Sequence, residues 1–311
     1  MSHIFIVGMP RSGTTLMNSI LTAHPEVVIG PETHFLDRWM LRYPQLNMSR
    51  PADFRVFWQT FKDTVEFGQL GIEADRALVR LETMGTLSYQ KIFTGVMEEY
   101  LALVQKPRWG EKTPDHYRHL GTLLAWYPTA RVLWMLRDPR AVVASLAKMS
   151  WSGEKPAVVH AQKWRESMDL LKQWGGDERV RLVRYEDLVT NPEGEVQSIC
   201  SFLDLAFIPA MIEAKQSWGD KRYNTKSAAL KPISQDSLQK WRKELTSNQV
   251  AAVEHITRLE MVEYGYTPDT ERMSPFQFAE LQLVKNLYKV KRQVQLRTRR
   301  INNLSKAQPV S

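Results

Sequence analysis

The chain has 311 residues, 43% of them hydrophobic, which is enough to bury a full core and favours a single domain with insertions. Its longest apolar runs exclude a membrane span, Ile4–Val7 is too short for a signal peptide, and the single cysteine, Cys200, excludes an intrachain disulfide and argues against a cysteine-ligated metal. The net charge of +8 comes from residues 281–311, which hold eight basic and no acidic residues. We therefore predict a cytoplasmic protein without a specific nucleic-acid partner.

Short apolar runs alternate with helical stretches, a pattern typical of β–α units around a parallel sheet. Residues 51–105 are predicted to form a helical insertion beside the sheet, and residues 215–234 a long loop. Helices are predicted at Gln235–Leu245 and Ser247–Val262. The predicted fold is an α/β, P-loop-like domain over residues 1–270, with a C-terminal helical segment. The predicted strands are Ile4–Val7, Val27–Ile29, a strand near Arg108–Trp109, Val132–Leu136 and Arg181–Arg184.

The first predicted strand runs into Gly8–Thr15, GMPRSGTT, which nearly has the sequence of a nucleotide-binding P-loop. In the pattern G-x-x-x-x-G-K-[ST], backbone N–H groups wrap the phosphates and the lysine reaches the terminal ones. Thr14 stands in place of that lysine, and Arg11 is the only cation of the loop. The helix predicted to follow favours an anion at its N-terminus. We therefore expect a ligand with a 5′ anion and no γ-phosphate.

A second segment, Arg131–Arg140, ends the fourth predicted strand and begins a helix. Asp138 is a natural N-cap and Pro139 a natural first helical residue. Arg137 then lies at the carboxyl edge of the sheet, where open α/β sheets bind ligands, and Ser145 returns to the Asp138 face two turns along. One interpretation is that Arg137 and Ser145 bind one anion together. The other is that Arg137 pairs with a surface carboxylate and that Ser145 lies on the ordinary surface of the helix. This segment alone leaves both interpretations open.

Together, the two segments resemble the paired nucleotide-binding motifs of sulfotransferases that use 3′-phosphoadenosine 5′-phosphosulfate (PAPS). In that family the first loop holds the 5′-phosphosulfate and the second holds the 3′-phosphate. The resemblance implies the first role for Arg11, Ser12, Gly13, Thr14 and Thr15, and the second for Arg137 and Ser145. Within the family, Gly8–Met17 followed by Ala23–Val27 looks most like the tyrosylprotein sulfotransferases. Further matching segments, in the same order, are Lys112-Thr113-Pro114, Tyr185-Glu186-Asp187-Leu188 and Leu238-Gln239-Lys240-Trp241.

The resemblance implies sulfuryl transfer from PAPS to an acceptor hydroxyl, with a tyrosyl peptide as the leading acceptor and a carbohydrate or small molecule as the alternative. Glu32 is the candidate base, because it follows the second predicted strand and the family has its catalytic glutamate there. Arg11, Thr14 and Lys112 would supply charge and hydrogen bonds to the transferring group. No metal is required. Further candidate nucleotide contacts are Tyr185, Lys231 and Lys240.

Several of these residues have simpler interpretations. Glu32 is also suited to the first turn of a helix, and Lys112 to an exposed salt bridge with Glu111 or Asp115. Pro31 and His34 depart from the tyrosylprotein pattern, which has an acid and an arginine there. The departures affect the acceptor more than the donor, and the resemblance implies a soluble, bacterial-type relative.

Two other functions use the same features. A nucleoside-phosphate kinase or NTPase needs a lysine at Thr14 and a metal-binding aspartate, for which Asp138 is the nearest candidate. The other is a protein without activity that binds nucleotides or nucleic acid through its basic end.

The basic end is predicted to form an amphipathic helix over residues 275–300, with residues 302–311 disordered. This helix packs on the domain or on a second subunit of a homodimer, or it contacts an acidic membrane surface or an acidic peptide acceptor. Its apolar stripe consists of Leu283, Leu287, Val290 and Val294.

Overall fold

The computed structural model describes residues 2–152, 155–213, 233–270 and 273–290, the last range without residues 276, 280, 285 and 289. The chain divides into two compact units. The first contains residues 1–137 and 169–236, and the second contains residues 138–168 and 237–311. The single domain expected over residues 1–270 stays a prediction.

A parallel sheet forms the centre of the first unit, in the order β2-β3-β1-β4-β5. The predicted α/β class and parallel sheet are confirmed, and four strands match their predicted bounds within one residue. β3 is longer than expected because its second half is polar and lacks a hydrophobic signal. The strands are β1 (Ile4–Gly8), β2 (Val27–Gly30), β3 (Arg108–Lys112), β4 (Arg131–Leu136) and β5 (Val180–Arg184).

β1 is buried on both faces, as expected for the central strand of a parallel sheet. On one face, Ile4 and Ile6 join a core cluster with Met17 of helix α1 (Thr14–Thr22). On the other face, the Phe5 ring lies 5.5 Å from that of Tyr127. The sheet edge that follows β1 is therefore rigidly positioned by packing from two sides.

Four α-helices lie between β2 and β3, which confirms the predicted helical insertion. A π-helix, Phe35–Met40, precedes them and was not predicted. The buried Phe35 ring lies 5.4 Å from Phe61 and 5.2 Å from Phe93, so the insertion anchors the segment that follows β2. The helices of the insertion are α2 (Pro51–Phe61), α3 (Val65–Leu70), α4 (Ala74–Thr83) and α5 (Tyr89–Val104).

Further helices accompany the later strands of the first unit. They are α6 (Leu120–Trp126), α8 (Ala157–Trp174, which has residues in both units), α9 (Tyr185–Thr190) and α10 (Pro192–Phe202). No helix in the described ranges is long and apolar enough to cross a membrane.

The second unit begins with α7 (Pro139–Ala147), whose predicted start is confirmed: the Asp138 side chain accepts a hydrogen bond from the Arg140 N–H, and Pro139 is the first helical residue. The helix predicted for Gln235–Leu245 is wrong. Only α11 (Trp241–Glu244) is helical, and residues 235–240 form turns, because serine and aspartate side chains there favour turns over helix. In contrast, α12 (Ser247–Glu263) closely matches its predicted bounds.

The C-terminal segment is described only in part. Residues 281–284 and 286–288 are helical, and the buried Leu281 packs in the core of the second unit. Leu283, Leu287 and Val290 of the predicted stripe are exposed. Val294, the rest of the predicted basic helix, residues 302–311 and nearly all of the predicted loop 215–234 lie outside the described residues.

A buried arginine connects the helices of the second unit. Arg140 pairs with Asp138 and with the fully buried Glu254, each at 2.7 Å, and its guanidinium lies 4.1 Å from the centre of the Trp241 ring. Removing one partner of a buried ion pair leaves the other charge without compensation.

We therefore expect Arg140→Ala to lower the free energy of unfolding by about 3–5 kcal/mol, measured by urea denaturation. The exposed Lys243→Ala is the control, with a change below about 0.5 kcal/mol. Equal effects of both substitutions would contradict a structural role for the buried pair.

Candidate active site

The candidate residues of the first unit all lie at the carboxyl ends of its strands or shortly after them. The loop Gly8–Thr15 follows β1, Glu32 follows β2, and Lys112 ends β3. Arg137 comes directly after β4, and Tyr185 directly after β5. Since the strands are parallel, these ends share one edge of the sheet, the usual ligand edge of open α/β sheets.

The loop after β1 depends on two glycines with positive φ angles. A β-carbon on Gly8 would lie 2.3 Å from the Met135 carbonyl oxygen, and one on Gly13 would lie 2.5 Å from Cδ2 of Tyr185. Gly13 also has a φ of 98°, which disfavours any residue with a side chain. The loop backbone therefore lies against β4 and the Tyr185 ring.

Two features of the loop suit an anion. The Ser12 hydroxyl oxygen is buried and has no hydrogen-bond partner among the described residues. Gly13, the N-cap of α1, provides no side-chain cap for the first N–H groups of that helix. A buried hydroxyl without a partner is destabilising, so an oxyanion here would satisfy Ser12 and the helix N-terminus together. Thr14 is buried at the start of the same helix.

Arg137 and Tyr185 lie beside this loop. Nη1 of Arg137 donates a hydrogen bond to the Arg11 carbonyl oxygen at 3.1 Å, and the guanidinium lies 4.3 Å from the centre of the Tyr185 ring. Desolvation and the Arg137 charge lower the pKa of Arg11, while Glu32 opposes that shift. The structure thus brings two cations and one carboxylate within electrostatic range of the loop.

Glu32 and Lys112 form an ion pair between Oε1 and Nζ. Lys112 does not pair with Glu111, because consecutive strand residues point to opposite faces of the sheet. Glu32 lies in the connection after β2 and not in the first turn of a helix. Burial opposes its ionisation, but hydrogen bonding to His34 and the charge of Lys112 lower its pKa to about 2.

His34 contacts a carboxylate through each ring nitrogen. Its Nε2 lies 3.4 Å from Oε2 of Glu32, and its Nδ1 lies 3.1 Å from Oδ2 of Asp37. Both nitrogens serve as donors only in the imidazolium form. Burial disfavours that form, but the hydrogen bonds to Asp37 and Glu32 raise the pKa of His34 to about 9.

The contacts continue into the interior through residues that the sequence analysis missed. Oδ1 of Asp37 lies 3.4 Å from Nε2 of His116, and Nδ1 of His116 lies 3.1 Å from Oε2 of the fully buried Glu111. The available signals were weak: Asp37 comes three residues after His34, and His116 four after Lys112. We call Glu32, His34, Asp37, His116 and Glu111 the acid–imidazole chain.

The remaining candidates belong to other parts of the chain. Ser145 lies on α7 and the exposed Lys240 precedes α11, both in the second unit, while Lys231 lies outside the described residues. Their roles as nucleotide contacts stay predictions. Among the described residues, no group of three or more His, Cys, Asp or Glu side chains could hold a metal ion.

Comparison with known proteins decides the family. The profile of the Sulfotransferase family matches residues 3–209. The chain belongs to the sulfotransferase family. It is 25% identical over 287 residues to the protein-tyrosine sulfotransferase of Drosophila melanogaster, which covers 86% of this chain and 52% of that protein. It is 27% identical over 280 residues to protein-tyrosine sulfotransferase A of Caenorhabditis elegans, covering 86% of this chain and 67% of that one.

The chain thus spans about half to two thirds of the length of these curated relatives. Among solved structures, it is similar to the sulfotransferase domain of the Synechococcus PCC 7002 olefin synthase, with a TM-score of 0.61 and 22% identity. That similarity covers 86% of this chain and 95% of that one. This similarity shows that the chain shares its fold with that domain.

The acid–imidazole chain predicts an unusual histidine titration. We expect His34 and His116 to titrate near pH 9 in an NMR titration of the imidazole signals, and the buried His160, which lacks a carboxylate partner in the described structure, near pH 4. Midpoints near 6.5 for the first two would contradict this electrostatic description. Because the pKa of these imidazoles is raised on folding, their protonation stabilises the fold in full below about pH 6.5, as long as the partner carboxylates are ionised, and that contribution is lost as the pH rises through about 9.

Proposed function

We propose that this sulfotransferase moves a sulfuryl group from PAPS to an acceptor hydroxyl. The observation that carries the proposal is the Glu32–Lys112 pair, which lies at the same sheet edge as an anion-suited loop. A cation for the transferring group and a carboxylate for the acceptor proton are the two functions that such a reaction needs. Membership of the sulfotransferase family supports the same chemistry.

The loop after β1 fits the 5′ end of PAPS. Its positive-φ glycines, the buried Ser12 hydroxyl and the uncapped N-terminus of α1 offer hydrogen-bond donors to an anion. When bound, PAPS supplies the sulfuryl group and a phosphate leaving group. We propose that residues 11–15 hold this end and that Arg137 contacts the 3′-phosphate. Ser145, Tyr185, Lys231 and Lys240 are the further proposed nucleotide contacts.

A kinase or NTPase fits the loop less well. Thr14 starts α1 where the P-loop pattern has the lysine that reaches the terminal phosphates. Asp138, the nearest candidate for a metal-binding aspartate, caps α7 and pairs with Arg140. Both positions of the kinase pattern thus have other roles here, which favours a donor without a γ-phosphate.

We propose that Glu32 accepts the acceptor proton while Lys112 and Arg11 stabilise negative charge on the transferring group. Glu32 is the more exposed partner of its pair, with 37% of its side chain accessible against 5% for Lys112. The carboxylate can therefore meet an acceptor from solvent, while the buried ammonium is held at a fixed position. A carboxylate paired with a cation is ionised, so it has a free lone pair for the proton, although the pairing lowers its basicity.

Tyrosine is the leading proposed acceptor, because the two relatives compared above are named protein-tyrosine sulfotransferases. The alternative is a carbohydrate or small-molecule hydroxyl. It is favoured by His34, which replaces the arginine of the tyrosylprotein pattern and is held by Glu32 and Asp37. The cytoplasmic localisation, the homodimer and the contacts of the basic helix remain predictions.

The proposal is tested by incubating the protein with sulfur-labelled PAPS and either a tyrosyl peptide or a carbohydrate, followed by mass spectrometry of the product. We expect wild-type transfer, and a loss of about 10²–10⁴-fold in kcat for Glu32→Gln with unchanged binding of adenosine 3′,5′-bisphosphate. The exposed Glu26→Gln is the matched control, with unchanged kcat. Tighter, metal-dependent binding of ATP would overturn the proposal, and label on carbohydrate alone would change the acceptor.

Ser12 gives a separate test of the donor site. Ser12→Ala removes a buried hydroxyl without a partner in the described structure, so we expect unfolding stability to stay equal or rise. Affinity for adenosine 3′,5′-bisphosphate, measured by calorimetry, should fall about 10–100-fold through loss of a hydrogen bond to a charged group. The control is Ser19→Ala, which removes a hydroxyl bonded to the Thr15 carbonyl within α1. Undiminished affinity in Ser12→Ala would exclude Ser12 from the anion site.

A further inference from the structure

We propose that His34 is a positioning residue that orients the candidate base Glu32, and that Asp37, His116 and Glu111 hold His34 in place. The inference rests on the proposed function, since it deepens the role given to Glu32. It assigns a purpose to the one residue of the segment after β2 that contacts both Glu32 and the buried part of the acid–imidazole chain.

The two oxygens of Glu32 have different anchors. Oε1 is held by Lys112 and Oε2 lies 3.4 Å from Nε2 of His34. In the proposed reaction the Lys112 ammonium also has to stabilise charge on the transferring group. The Lys112 contact therefore weakens during the transfer, whereas His34 is assigned no contact with the transferring group and continues to orient the carboxylate.

His34 can serve as this anchor because its own position is fixed from the interior. Its Nδ1 is hydrogen-bonded to Oδ2 of Asp37 at 3.1 Å, and Nδ1 of His116 is hydrogen-bonded to Oε2 of Glu111 at 3.1 Å. Between these two bonds, Oδ1 of Asp37 lies 3.4 Å from Nε2 of His116, and that nitrogen accepts a hydrogen bond from the Leu36 N–H at 3.3 Å. Acidic and imidazole groups alternate along this path. Interactions that orient a reacting group through its neighbour are a general requirement for precise active sites.

Glu111 is in turn fixed by hydroxyl groups at the ends of two strands. Its Oε1 accepts hydrogen bonds from the Thr33 N–H at 3.2 Å, from the Thr33 hydroxyl at 2.9 Å and from the Thr113 hydroxyl. The backbone N–H of His34 donates a hydrogen bond to the Thr113 hydroxyl oxygen at 3.3 Å. The buried end of the acid–imidazole chain is therefore tied to β2 and β3, the strands that carry Glu32 and Lys112.

Two substitutions of His34 separate its two contacts. An asparagine amide reproduces the position of Nδ1 and can still meet Asp37, but it does not extend to Glu32. A glutamine amide reproduces the position of Nε2 and can still meet Glu32, but it loses Asp37. Asparagine also tolerates the left-handed backbone of this position, where φ is 49°. Both variants remove the positive charge, so a difference between them reports the contact.

We expect His34→Asn to lower kcat about 10–100-fold with KM for PAPS changed less than about three-fold, because a misaligned base affects the reaction and not donor binding. His34→Gln should retain at least about ten-fold more of the wild-type kcat than His34→Asn. The control is His255→Gln on the exposed side of α12, with unchanged kcat. Thermal unfolding of each variant checks that it is folded.

Equal losses in His34→Asn and His34→Gln, or an unchanged kcat in His34→Asn, would overturn the proposal. If His34→Asn does not fold, Asp37→Asn takes its place and should lower kcat without raising KM. An unchanged kcat in Asp37→Asn would then overturn the proposal. If the wild type transfers no sulfuryl group, the proposed function fails instead. The contact is then tested without turnover: the carboxyl pKa of Glu32, measured by NMR, should rise in His34→Asn more than in His34→Gln, and an equal rise would overturn the proposal.

Discussion

The arrangement of the candidate site depends on the pairing of Glu32 with Lys112. The two residues are far apart in the sequence, and they meet because β2 and β3 are neighbours in the sheet. A buried ammonium is stable only beside a negative charge, so the pair couples the correct alignment of these strands to the formation of the site. The same contact holds an acidic group and a cation where the proposed reaction needs both.

Charge is distributed unequally along this sheet edge. On the β2 and β3 side, the negative charges of Glu32, Asp37 and Glu111 alternate with Lys112 and two imidazoles. On the β1, β4 and β5 side, the arginines beside the loop and the start of α1 provide positive potential and hydrogen-bond donors. An anionic donor is attracted to the second side, while the ionised carboxylate of the first side remains available to an acceptor.

Local signals predicted much of the fold. β1 was recognisable because a central parallel strand is apolar on both faces, and the start of α7 because an aspartate cap and a proline act within one helical turn. Local sequence signals failed where contacts between distant residues determine the secondary structure. The polar half of β3 becomes a strand through pairing with β1 and β2, and the π-helix Phe35–Met40 forms where Phe35 packs into the aromatic core of the insertion.

The sequence by itself determined the glycine-framed loop after β1, the alternation of strands and helices and the resemblance to sulfotransferases, because these depend on residues close together in the chain. Only the tertiary structure decided that Lys112 pairs with Glu32 and that His34 connects Glu32 to a buried acid–imidazole chain. The reason is physical: which charges become partners depends on the order of strands in the sheet, and spacing along the chain does not specify that order.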